Sequence, residues 1–175
     1  MQEDTKEKDN GTEIYEETSD VSEANADKTI RHHVYVSLGI GLIPIPFVDF
    51  IGVTGAQFNM MRKLALIYNI PFSKDMVKNL IGALIGGAFP ASIGPRIAFS
   101  VSKTVPGVGQ ALGAVSASVV SGACTYAVGK VFSRHFAEGG TLLSFDPEPA
   151  RAFYEEMFSK GQEVVSELKT QKEKK

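Results

Sequence analysis

Disulfides are excluded at once, because the chain has a single cysteine, Cys124. Three histidines, His32, His33 and His135, do not combine with it into zinc-ligand spacing, so no metal is expected. His32 and His33 are adjacent and on a helix would point about 100 degrees apart, which rules out the shared chelation of an i, i+4 pair. They read as ordinary polar residues at a helix start or membrane edge rather than as a pH sensor, and His135 beside Arg134 reads the same way. Cys124 has no basic neighbour in sequence closer than Lys130 and reads as a buried, inert thiol.

Nucleotide and nucleic-acid chemistry are equally short of signals. The nearest approach to a phosphate-binding loop, Gly129-Lys130-Val131, lacks the hydroxyl and falls at the end of a helical pattern. The glycines are spaced for helix packing, not for a dinucleotide-binding turn. Basic residues are dispersed without interleaved aromatics, so nucleic acid is not an expected partner. The N-terminus lacks the basic start and apolar stretch of a signal peptide, from which a cytosolic N-terminus is expected. No cofactor and no catalytic residue is assigned, and the chain is not expected to be an enzyme.

Charge is the next absence. Residues 34–48, 79–95 and 104–129 carry none, and the last window exceeds the roughly 20 apolar residues of a bilayer span. That window is built from Gly, Ala, Ser and Val rather than Leu, Ile and Phe. Small residues recur in it at four-residue spacing on two neighbouring rows: Gly109, Gly113, Ala117 and Ser121, and beside them Ser118 and Gly122. Such rows let another helix approach closely, and its serines read as packing and interhelical bonding groups. Gly82 and Gly86 form a matching four-residue step in the second window. A close-packed hairpin over 79–129 is expected, its first arm interrupted by Pro90 and Pro95 and its turn made by Pro106 and Gly107.

What is present is helical. Phe50, Val53, Met60, Leu64 and Ile67 follow one stripe, with Asn59, Arg62 and Lys63 off it. Ser73 is a plausible N-cap, with Asp75 at the positive end of the following helix dipole. Asp146 caps a last helix, Pro147 occupies its first turn, and Ala150, Phe153, Tyr154, Met157, Phe158, Val164, Val165 and Leu168 form an amphipathic stripe across Gly161. No stretch alternates with period two. The expected fold is all-α: a helical bundle with a Gly-rich hydrophobic helical hairpin and a C-terminal amphipathic helix.

Charge also divides the chain. Residues 1–27 carry ten acids against Lys6 and Lys8, a net of −8 within a total of −2, and have few large apolar side chains. They read as a disordered acidic tail, because they bury too little to offset the entropy of ordering. A helical membrane-associated domain is expected over 28–170, followed by a frayed basic tail, 171–175.

The stretch GLIPIPFVDF, residues 41–50, cuts the first uncharged window. Pro44 and Pro46 bias Ile43 and Ile45 away from α geometry, so a second helix is expected near Asp49. The Asp49 carboxylate could accept the free N–H groups of that helix, making Pro44, Pro46 and Asp49 a structural corner; a partner contact, or a pairing with a base such as Arg96, is the alternative.

The run Ile43–Pro46, Asp49, Gln57 with Met60 and Met61, and then Gly82, Gly86 and Gly87 resemble an uncharacterised bacterial family. It is the helical domain of unknown function that often accompanies Ras-like GTPase domains and is related to YcjF-type inner-membrane proteins. The likeness covers about residues 28–168. It implies a helical, membrane-associated architecture at the bacterial inner membrane with cytoplasmic tails, and no catalytic residues to carry over. The GTPase domain is missing here, so any nucleotide switch would come from a separate protein.

Three functional readings follow. The first is a membrane-associated helical module that anchors or scaffolds a separate GTPase, with the lipid bilayer as partner; Arg96 and Lys103 near the hairpin turn oppose the positive-inside bias for an inserted hairpin. The second is a soluble all-α bundle or oligomer, acting as an adaptor, whose small-residue rows pack inside protein. The third is a pore-forming or membrane-remodelling hairpin.

Overall fold

The computed structural model describes residues 4–41, 48–87 and 108–173, with side-chain surroundings over 18–41, 52–86 and 118–168. The described residues form five α-helices and no strand: α1 (Asp4–Gly41), α2 (Val48–Ile67), α3 (Lys74–Gly87), α4 (Val108–Ala137) and α5 (Pro147–Glu173). The all-α expectation holds.

Local chemistry explains where the helices stop and start. At the end of α2, Ile70 N–H donates to the Ala65 carbonyl at 2.7 Å and Asn69 N–H to that of Leu66 at 3.3 Å, with Asn69 left-handed at φ 54°. The end of α4 repeats this Schellman pattern: Gly140 N–H reaches the His135 carbonyl at 2.8 Å and Gly139, at φ 82°, that of Phe136 at 3.0 Å. Asp146 Oδ1 accepts the Glu148 N–H at 3.0 Å with Pro147 as first helical residue, the cap expected for α5.

α4 is the axis of the bundle. Every residue from Val120 to Gly129 is buried, the pattern of a helix enclosed on all sides. Here α1, α2 and α5 enclose it. Leu38 borders Gly122, Ser37 meets Thr125, Ile30 borders Gly129 and Asp27 meets Lys130, so α1 runs antiparallel to α4. Val165 against Gly122, Gly161 against Ala123 and Phe153 against Arg134 make α5 antiparallel too. Gln57 with Cys124, Met60 with Gly129 and Tyr68 with Ser133 make α2 parallel to it. The end of α1, the start of α2 and the start of α4 therefore share one pole, called here the hairpin pole. The connections 68–73 and 138–146 share the other, the loop pole.

The acidic segment belongs to α1. α1 runs unbroken from Asp4 to Gly41, Ala26 is buried, and Asp27 Oδ1 accepts Lys130 Nζ at 2.6 Å. The physical reason lies downstream: Ala26, Ile30, His33, Val34, Ser37 and Leu38 dock one helical face, which supplies the nucleus. Each further residue then adds a hydrogen bond without a second nucleation cost, and acids near an N-terminus suit the helix dipole. α5 likewise continues to Glu173, into the stretch expected to fray.

Candidate functional site

The residues expected to pack helices divide into three groups. Ser118, Ser121 and Gly122 are buried on α4. A Cβ at Gly122 would stand 2.8 Å from Val165 Cγ2 and 3.2 Å from Leu38 Cγ, so this glycine is the seat where α1 and α5 both close on α4. Gly109, Gly113 and Ala117 belong to α4, but their surroundings lie outside the described residues. Gly82 and Gly86 are exposed on α3, and a Cβ at either meets nothing within 4 Å among the described residues. Among the described residues α3 lies against α5 and α2, and the stretch of α4 that would pair with it in the expected hairpin, 108–117, has its surroundings outside them. Over its described length α4 has no open seat for it, because Leu38 and Val165 fill the place at Gly122 and Ile30 and Met60 the place at Gly129.

A buried seam of neutral polar groups ties the helices together. The Ser37 and Thr125 hydroxyls share a hydrogen bond at 2.8 Å, and Ser118 Oγ donates to the Leu38 carbonyl at 2.9 Å. Cys124 Sγ lies 3.2 Å from the Tyr154 hydroxyl and accepts from Gln57 Nε2 at 3.5 Å, while the Tyr68 and Ser133 hydroxyls meet at 3.0 Å. These contacts join neutral groups and tie α1, α2 and α5 to α4. Among the described residues no group of three or more His, Cys, Asp or Glu side chains is placed to hold a metal ion.

His33 is more interior than the sequence suggested, at 2% exposure. Burial pushes its imidazole below the ordinary value, the hydrogen bond to the Thr29 carbonyl at 2.8 Å opposes this, and Lys63 and His32 reinforce it. Its position was legible as a member of the stripe that also holds Ile30, Val34 and Ser37; adjacency to His32 drew attention to the wrong property. His135 Nε2 reaches the Thr141 carbonyl at 3.0 Å, and its ring meets Phe145 edge-on, which fixes the connection at the loop pole.

The family model for the domain of unknown function DUF697 matches residues 5–172. The chain belongs to this family. "Magnetosome membrane protein 22" of Magnetospirillum gryphiswaldense is similar to it, 34% identical over 148 residues that are 85% of this chain and 76% of that protein. No solved structure matches. The family resemblance read from the sequence is borne out, and the match extends through most of the acidic segment, in keeping with the unbroken α1 of this DUF697 domain.

The quoted motif residues fall into place within the domain. Gln57, Met60 and Met61 are buried on α2. Pro44 and Pro46 lie outside the described residues, between the last residue of α1 and the first of α2. Asp49 is in the first turn of α2, and its carboxylate contacts lie outside the described residues. Gly161, not singled out from sequence, is where α5 closes most tightly on the α4 backbone; its signal was a glycine inside an otherwise continuous amphipathic stripe.

Proposed function

We propose that this DUF697 domain is a membrane-associated helical module that acts by binding rather than by catalysis. What carries the reading is its likeness, over 85% of the chain, to a protein named as a magnetosome membrane protein. Among the described residues no helix is long and apolar enough to cross a membrane. In this reading the enclosed part of α4 is bundle core, and the hairpin pole, where the uncharged end of α1 and the start of α4 meet, faces the bilayer. The site is the bacterial inner membrane, with both tails cytoplasmic. A separate Ras-like GTPase is the partner proposed for such a module, on the ground of the resemblance, read from the sequence, to a domain that often accompanies Ras-like GTPase domains.

Cell fractionation tests the location. The untagged protein is expected to sediment with membranes, and carbonate then separates insertion, which survives, from surface attachment, which is released. Recovery of all the protein in the soluble fraction would replace this reading by that of a soluble all-α adaptor, in which the enclosure of α4 by its own chain is the packing of a bundle core. Co-purification of a GTPase under mild detergent tests the partner, and its absence at stoichiometric levels would remove the anchoring role.

A further inference from the structure

We infer that the outer face of the α1–α2 hairpin binds anionic lipid headgroups, with Lys28, Arg31, Arg62 and Lys63 as the cations that meet the phosphates. The inference rests on the membrane reading above and names the surface and the lipid charge it selects.

Register brings these four residues together. Ile30 of α1 and Met60 of α2 both border Gly129, and the antiparallel course of α1 and α2 puts residues 28–31 and 62–63 at the same height. All four side chains belong to exposed positions. Among the described residues none of the four has an ion-pair partner, whereas Lys130, Arg134 and Arg151 are paired with Asp27, Glu138 and Glu148. Unpaired among the described residues and at one level, the four form a belt of positive charge open to an external anion.

The order of side chains along the face says which anion. From the belt toward the hairpin pole the exposed residues are Tyr35 (52% exposed), Val36 (38%) and Gly39 on α1, and Asn59 and Gly55 on α2, with no charge among them. From the belt toward the loop pole come the exposed acids Asp20 and Glu23, with Val21 and Leu66 exposed beside them. Acids, then bases, then an uncharged flank with a tyrosine is the sequence of environments met on entering an anionic membrane surface from water. The face is one-sided: α5, at the level of Gly122 and toward the hairpin pole, exposes Glu163 and Glu167. The acids therefore turn α5 away from the surface that attracts α1 and α2.

Purified full-length protein mixed with vesicles of phosphatidylglycerol and phosphatidylcholine, or of phosphatidylcholine alone, tests this by co-sedimentation. Binding to the anionic vesicles is expected to weaken about a hundredfold in Arg31→Gln/Arg62→Gln/Lys63→Gln, the scale of three near-surface cations. Arg134→Gln/Lys160→Gln, with cations removed elsewhere, should change it by less than about threefold, with circular dichroism confirming the fold of each variant. Equal binding by the triple variant, or an equal loss in the control, overturns the belt while the membrane reading stands. Failure of the unaltered protein to bind either vesicle sinks both. The chain has no tryptophan, so Tyr35→Trp and Leu143→Trp give single probes at the two poles. Brominated lipid should quench the first and spare the second, and the reverse pattern overturns the orientation. Belt-dependent capture of polyglutamate with belt-independent vesicle binding would reassign the surface to an acidic protein.

Discussion

Gly161 of α5 lies directly against the backbone of Ala123 in α4: a Cβ at position 161 would stand 3.0 Å from both the Ala123 Cα and its carbonyl oxygen. Backbone cannot swing aside as the end of a side chain can, so the two helices must separate to admit a methyl group. Gly161→Ala is expected to destabilise the fold by about 1–3 kcal/mol, despite the better helix propensity of alanine. Gly82→Ala on exposed α3, where a Cβ meets nothing among the described residues, should instead stabilise by about 0.5–1 kcal/mol. Urea denaturation of the two variants measures the contrast; a loss at Gly82 as large as that at Gly161 would restore Gly82 as a packing seat.

The Ser37–Thr125 bond is made between two hydroxyls at 0% exposure, one on α1 and one on α4. Ser37→Ala alone leaves the Thr125 hydroxyl without this partner and should cost about 1–3 kcal/mol. Adding Thr125→Val removes the stranded group, so the double variant should be no less stable than the single one. A strictly additive loss in a double-mutant cycle would show that the hydroxyls do not act as a pair.

His33 couples stability to acidity. Its folded-state proton affinity is lowered, chiefly by burial, so between that value and the ordinary 6.5 the unfolded chain binds more protons than the folded one. Stability is therefore fully present above pH 6.5, falls as the pH drops below it, and stops falling from this cause once His33 protonates in the folded state. Comparing urea midpoints at about pH 7.5 and 5.5 should show a smaller acid loss in His33→Gln than in the unaltered protein. The same loss in both would assign it to other groups.

Asp49 falls in the first turn of α2, where a short side-chain acceptor can meet free backbone N–H groups. Asp49→Asn should retain more stability than Asp49→Leu, with a difference of about 1 kcal/mol by thermal unfolding. If both variants fold equally well and both lose membrane association, the negative charge itself is the functional feature.

Much of this architecture could be read from residues alone, because the physics involved is local. Asp146, Pro147 and the stripe from Ala150 to Leu168 define α5: a carboxylate acceptor, a fixed φ and 3.6-residue apolar periodicity need no distant partner to be recognised. The stripe of Val53, Met60 and Leu64 likewise announced the buried face of α2. The buried face of α1 from Ala26 to Leu38 was less legible, because its members alternate with exposed bases and include His33 and Ser37.

Only the tertiary structure decided what surrounds α4. A helix of Gly, Ala, Ser and Val presents no polar face, so its sequence specifies close approach on every side but does not distinguish a wall of lipid from one of protein. Leu38, Ile30, Met60 and Val165 supply the wall at Gly122 and Gly129, from segments that lie far away in the chain. The same holds for the cations: Lys28 and Arg31 are separated from Arg62 and Lys63 by about thirty residues and look dispersed in the sequence. Antiparallel pairing of α1 and α2 converts that separation into a single belt, because register sets height in the bundle where sequence distance does not.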